Sequence, residues 1–180
     1  MRSADSSLGR VDSKRGFPLT LWLIGAAVVV LAIVGVFVSL GRDPDLPGER
    51  FASQGQEHLA GDEAALTEYN SNPPTSGPHS ANVAPWGNYD YTLRDEFLIH
   101  NLEDGGVVLW YPMGTLEENE AFIERLEEVA RPYEKIVIAP RNDLEATYAL
   151  SAWQYLDKFN EFDADRITEF LEAFADRPHY

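Results

Sequence analysis

Val107-Val108-Leu109-Trp110-Tyr111 is an uncharged run of β-branched and aromatic residues, the pattern of a short buried strand. Working outward from it, Thr115 with Glu118 three residues on is the capping-box pattern of a helix start. Leu116, Phe122, Ile123, Leu126 and Val129 then recur at helical spacing, up to a stop at Pro132. Ile136-Val137-Ile138-Ala139 reads as a second strand. Ala146 to Leu156, rich in Tyr148, Trp153 and Tyr155, reads as a third, with a helix as the open alternative. Asp163 or Asp165 opens a last amphipathic helix carrying Ile167, Phe170, Leu171 and Phe174. The order strand, helix, strand, strand, helix predicts a small α+β domain, a short mixed sheet with two packed helices. No internal repeat is visible.

Upstream, Phe17 to Leu40 contains no Asp, Glu, Lys or Arg. As a helix it spans roughly 36 Å, enough to cross a hydrocarbon core of about 30 Å with some tilt. A cleaved signal peptide has a shorter apolar core and a small-x-small cut site, and no Ala-x-Ala follows here, so the run reads as an uncleaved anchor. Arg2, Arg10, Lys14 and Arg15 stand before it against Asp5 and Asp12. The positive excess keeps tail 1–16 cytoplasmic and places the chain beyond segment 17–40 outside the plasma membrane. Residues 41–56, with Asp43-Pro44-Asp45-Leu46-Pro47-Gly48, read as a linker, and 57–180 as the extracytoplasmic domain.

Composition excludes several functions. With 14 Lys and Arg against 30 Asp and Glu in 180 residues, the formal net charge is −16, which leaves no basic surface for nucleic acid. The absence of cysteine excludes disulfides, thiolate metal sites and cysteine nucleophiles. Chemistry must be built from His, carboxylates and hydroxyls. The stretch from the linker to Asp90, rich in Pro, Gly, Ser and Asn, lacks regular periodicity, but Tyr69, Trp86, Tyr89 and Tyr91 in it or just beyond it argue that it packs on the domain.

Four histidines are present. His179 lies at the terminus and reads as solvated. His79 ends the stiff run Pro73-Pro74-Thr75-Ser76-Gly77-Pro78, and a stiff backbone lowers the entropy lost when a ring is fixed. His100 and Asp104 stand four apart and share a face if 94–104 is helical, a spacing used by paired metal ligands. Asp104-Gly105-Gly106 also reads as a plain turn before the strand. Neutral imidazoles with one carboxylate suit Zn²⁺ or Cu²⁺.

Gly55 and His58, Tyr69-Asn70-Ser71-Asn72-Pro73-Pro74-Thr75-Ser76-Gly77-Pro78-His79, Gly87 and Tyr89, and His100-Asn101-Leu102-Glu103-Asp104-Gly105-Gly106-Val107 together resemble the signature of a bacterial family. It is the domain of unknown function numbered 3105, whose members are mostly single-pass anchored or secreted proteins. The resemblance runs from about Gln54 to the C-terminus and implies no established activity. The family pattern reads His-x-Leu-Glu-His-Gly, whereas this chain has Asp104 where the second His would stand. With the resemblance added, His58, His79 and His100 are the expected metal ligands, Asp104 the fourth, and Glu103 an orienting partner.

Three functions follow as expectations. One is a metal-binding module without turnover. Another is an accessory subunit, its aromatic loop docked on a membrane protein and its anchor packed on a partner helix. The third is a hydrolase using His79 or His100 with Ser76, Glu103 or Asp104, although no Gly-x-Ser-x-Gly elbow exists. Met113, the one internal methionine, could serve Cu(I), but reads rather as a gap filler beside the strand.

Overall fold

The computed structural model describes residues 46–60, 68–114 and 116–178, without side chains for 116–119. The expected tail, the anchor over 17–40, Thr115 and His179 lie outside the described residues. Among those described, no helix is long and apolar enough to cross a membrane.

Strands are β1 (Glu49–Arg50), β2 (His58–Leu59), β3 (His79–Ser80), β4 (Gly87–Asn88), β5 (Val107–Pro112), β6 (Ile136–Arg141), β7 (Tyr148–Ala152) and β8 (Tyr155–Phe159). Helices are α1 (Asp95–Glu103), α2 (Leu116–Ala130) and α3 (Ala164–Phe174). Six strands form one mixed sheet in the order β1-β8-β7-β5-β6-β4, and β2 pairs with β3 in a separate parallel ribbon. The fold class is α+β, as the periodicities require.

β5 is the centre of the sheet, parallel to β6 and antiparallel to β7. Its side chains alternate between two cores. Val107, Leu109 and Tyr111 join Ile136, Ile138, Leu150, Phe159, Ile167, Phe170 and Leu171 on the face covered by α2 and α3. Val108 and Trp110 join Val137, Ala139, Leu98, Ile99 and Leu102 on the other, covered by α1. A third helix, foreseen only as a condition on the His100–Asp104 spacing, therefore packs beside the two that were expected. Each fully buried aliphatic side chain contributes about 1.5–3 kcal/mol, and on β5 Val107, Val108 and Leu109 are all fully buried.

Residues 146–156 form parts of two strands. β7 and β8 make a hairpin closed by Trp153 and Gln154, with Ala152 opposite Tyr155 and Gln154 at φ +65°. The run contains no Gly or Pro to announce the turn, which is why it reads as one strand. Asp163 caps α3, its carboxylate accepting from the Arg166 N–H at 3.1 Å.

The expected linker is described from Leu46 onward, and there it belongs to the domain. Leu46 packs on the α2–α3 core, β1 pairs with the edge of β8, and the Phe51 N–H donates to the Gln154 carbonyl at 2.8 Å. The Gln154 N–H in turn donates to the Thr75 carbonyl at 3.0 Å, so the hairpin tip props the Pro-rich segment as well.

The end of α1 is set by two glycines. Gly105 adopts φ +87°, and a Cβ there would stand 2.3 Å from the Arg177 carbonyl carbon. A Cβ on Gly106 would meet the Trp86 ring at 2.5 Å. Replacing Gly105 adds backbone strain and overlap together. Gly105→Ala should lower stability by on the order of 3 kcal/mol, read as a lowered midpoint in urea unfolding; an unchanged midpoint would refute this account of the turn.

Candidate metal centre

Three imidazoles and one carboxylate converge on the α1 side of the sheet. His58, His79, His100 and Glu103 each offer one donor atom, and these atoms lie within 4.8 Å of one another. The ring centroids of His58 and His79 are 4.9 Å apart, those of His58 and His100 4.9 Å, and those of His79 and His100 5.2 Å. Side chains from residues 58, 79 and 100 thus meet at one point.

The β2–β3 ribbon sets His58 directly opposite His79. It continues upstream, the Gly77 N–H donating to the Gly55 carbonyl at 3.2 Å and the His79 N–H to the Glu57 carbonyl at 2.9 Å. Gly77, at φ +124°, lets the chain turn beneath Tyr69, whose hydroxyl donates to the Pro78 carbonyl at 2.7 Å. Burial, with the Glu96 and Asp95 charges, pushes the Tyr69 phenol well above its usual value, so it remains a donor. Trp153, at the hairpin tip, stands edge-on to the His79 ring at 6.2 Å.

α1 supplies His100 and Glu103 and is held at both ends. At its start, Arg141 pairs with Asp95 at 2.5 Å and also bonds Asn72 Oδ1 at 3.1 Å, tying the helix to the Pro-rich segment. Further along, the buried Asn101 side chain accepts from the Ala84 N–H at 2.9 Å and donates to the Ala84 carbonyl at 2.8 Å.

The tautomers follow from the partners. His79 Nδ1 is 2.7 Å from the Gly77 carbonyl oxygen, and His100 Nδ1 is 2.7 Å from the Ser80 carbonyl oxygen. A carbonyl only accepts, so both Nδ1 atoms carry the proton, and in a neutral ring Nε2 is left as a bare lone pair. His79 Nε2 lies 2.8 Å from Glu103 Oε2, yet the two are not aligned as a hydrogen bond, and both are buried without any hydrogen-bond partner. The short separation alone suggests an imidazolium–carboxylate pair. The alignment and the burial argue otherwise: desolvation pushes His79 below its ordinary value, opposed by the Gly77 carbonyl and the Glu103 charge. Two facing lone pairs repel unless a cation stands between them.

The donor set fits such a cation. In a tetrahedral site with bonds of about 2.0–2.1 Å the donors stand roughly 3.3 Å apart. The 2.8 Å from Glu103 Oε2 to His79 Nε2 and the 3.6 Å to His58 Nε2 bracket that separation. A carbonyl behind a ligating imidazole is the usual means of fixing its orientation, and two of the three rings have one.

Of the four expected ligands, His58, His79 and His100 come together and Asp104 does not join them. Glu103, expected as an orienting partner, contributes the carboxylate instead. On a helix, positions three and four beyond His100 both flank its face, so spacing cannot choose between them. Packing chooses: α1 turns Glu103 toward β3, while Asp104 is the C-cap, its N–H donating to the His100 carbonyl at 3.0 Å and its own carbonyl accepting from Lys135 Nζ at 2.7 Å. Donor chemistry is unchanged by this exchange. Ser76 is buried and accepts from the Gln54 N–H at 3.1 Å, a strap between segments. Met113 is exposed. Tyr69, Trp86 and Tyr89 pack against the α1-side core, and Tyr91 is exposed.

A mixed sheet whose loop-rich face gathers three imidazoles and a carboxylate defines a domain with a candidate metal centre. The chain belongs to the family described as protein of unknown function (DUF3105), whose pattern it matches over residues 62–180. His79, His100 and Glu103 lie inside the matched span, and His58 lies just before it. No curated protein and no solved structure matches the chain.

The depressed His79 value has a consequence for the metal-free domain. Between its folded value and the ordinary 6.5 the unfolded chain takes up a proton that the folded chain refuses. This contribution to stability is therefore complete above about 6.5 and is lost as pH falls toward the folded value. Thermal midpoints of metal-free protein should drop across this interval, less steeply in His79→Gln; equal slopes in the two proteins would contradict the assignment.

Proposed function

We propose that this protein is a metal-binding module without turnover of its own, holding one Zn²⁺ or Cu²⁺ between His58, His79, His100 and Glu103. The observation that carries it is the pair of buried, partnerless atoms His79 Nε2 and Glu103 Oε2, facing each other at 2.8 Å. A folded domain rarely keeps two such groups bare, and a divalent cation satisfies both at once. Three neutral nitrogens and one carboxylate leave a single positive charge on a Zn²⁺ or Cu²⁺ complex. The acidic chain, at −16 overall, favours cation approach.

The module stands on the outer side of the plasma membrane in this reading, carried by Phe17–Leu40 as a single span in membrane lipid. The uncharged segment and the Lys/Arg excess before it support that placement. The acidic domain beyond would stand off anionic lipid headgroups.

Full-length protein purified in mild detergent, without added chelator, should carry about one metal ion per chain by elemental analysis. His79→Ala combined with His100→Ala should carry none, since two of four donors are gone. Wild-type protein that is metal-free and shows no affinity for Zn²⁺ or Cu²⁺ would refute the function.

A further inference from the structure

The four donors are unequal in how they are held. His79 is fully buried, its Nδ1 anchored on the Gly77 carbonyl. His100 is anchored in the same way on Ser80 and sits on a helix locked at Asn101. The Glu103 side chain is 13 % exposed and approaches His79 from the same helix. The His58 side chain is 49 % exposed, and among the described residues no carbonyl or carboxylate holds its Nδ1. Among the described residues its ring meets its cluster neighbours: Glu103 Oε2 at 3.6 Å, an edge contact with His79, and a near-parallel stack on His100 with an interplanar angle of 11°.

Two donors, His79 and His100, are thus held by carbonyls behind their rings, Glu103 is largely buried on the same helix as His100, and His58 lies on the solvent side. Rotation about the His58 side-chain bonds moves its ring into water without breaking the Gly77–Gly55 or His79–Glu57 backbone bonds beneath it. The same motion cannot free His79 or His100, whose carbonyl anchors and packing oppose it.

We propose that His58 is the exchangeable ligand of the centre. Building on the metal-binding function above, the ion rests on the tripod of His79, His100 and Glu103, and enters and leaves through the coordination position that His58 covers. An incoming nitrogen or oxygen donor, such as a free imidazole or an imidazole of a receiving protein, takes that position as His58 swings away. No bond other than the metal–nitrogen bond is broken, and no oxidant or reductant is required. The site is therefore built to pass its ion on and not to bury it permanently.

The test uses full-length protein in detergent loaded with Co²⁺, whose visible spectrum reports ligand number, and Zn²⁺, whose release to a coloured chelator reports exchange. His58→Ala and His58→Gln should each keep about one ion per chain. They should release Zn²⁺ on the order of 10–100-fold faster than wild type, the usual cost of weakening a site's support. Added imidazole should restore the wild-type Co²⁺ spectrum to His58→Ala and leave His79→Ala without metal. If both His58 variants lose the ion as completely as His79→Ala, His58 is an integral ligand and the inference fails. Release at the wild-type rate with an unaltered spectrum removes His58 from the coordination sphere, and the inference fails equally. A wild-type chain that takes up neither ion overturns the metal centre itself, a result distinct from both.

Discussion

The contact between the Glu103 carboxylate and the unprotonated Nε2 of His79 is the constraint around which this domain is arranged. At 2.8 Å, buried and unaligned for a hydrogen bond, two electron-rich atoms oppose each other. Nothing in packing explains such a juxtaposition, because burial of apolar surface would be served as well with the side chains turned apart. The His79 and His100 rings are held by obligatory hydrogen bonds behind them. The Gly77 and Ser80 carbonyls each demand a proton on Nδ1, and each thereby aims a lone pair inward.

The fold supplies rigidity to that arrangement from its sheet. Strand β5, buried on both faces, carries a helix layer on one side, while on the other α1 shares a core with residues of the described stretches 51–60 and 68–93, among them Phe51, Tyr69, Ala84 and Trp86. The described stretches 51–60 and 68–93 are irregular in φ and ψ but not loose. Gln154 at the hairpin tip bonds both of them, Asn101 substitutes for a backbone partner at Ala84, and Arg141 joins Asn72 to Asp95. Each bond crosses between segments distant in sequence, so the irregular stretches inherit their order from the sheet. Gly105 and Gly106 end α1 where the C-terminal segment and Trp86 pass too closely for any side chain.

Several features were legible in advance for plain reasons. β5, β6, α2 and α3 are read from apolar period and caps, because burial of one or two faces imposes that period directly. The expectation of three imidazoles with a carboxylate came from the residues together with the family resemblance. Other features were not legible. The β7–β8 turn uses Trp153 and Gln154, neither a turn former, since Trp153 is wanted against His79 and the core. Leu46 to Gln56 looked like tether because its two-residue strand β1 is too short to show a period. Helix α1 was foreseen only as a condition on the His100–Asp104 spacing.

The amino-acid sequence alone determined the inventory. It contains no cysteine, a charge of −16, an uncharged run from Phe17 to Leu40, and four histidines, one of them ending a Pro-rich run. These are properties of composition and local order, and no folding is needed to state them. Which carboxylate meets the imidazoles was decided only by the tertiary structure. Glu103 and Asp104 flank His100 almost equally on an isolated helix, and it is the docking of α1 against β3 that turns one inward and leaves the other as a cap. The orientation of the rings was decided there too, because the carbonyls that fix them become available only when the β2–β3 ribbon and α1 are in contact.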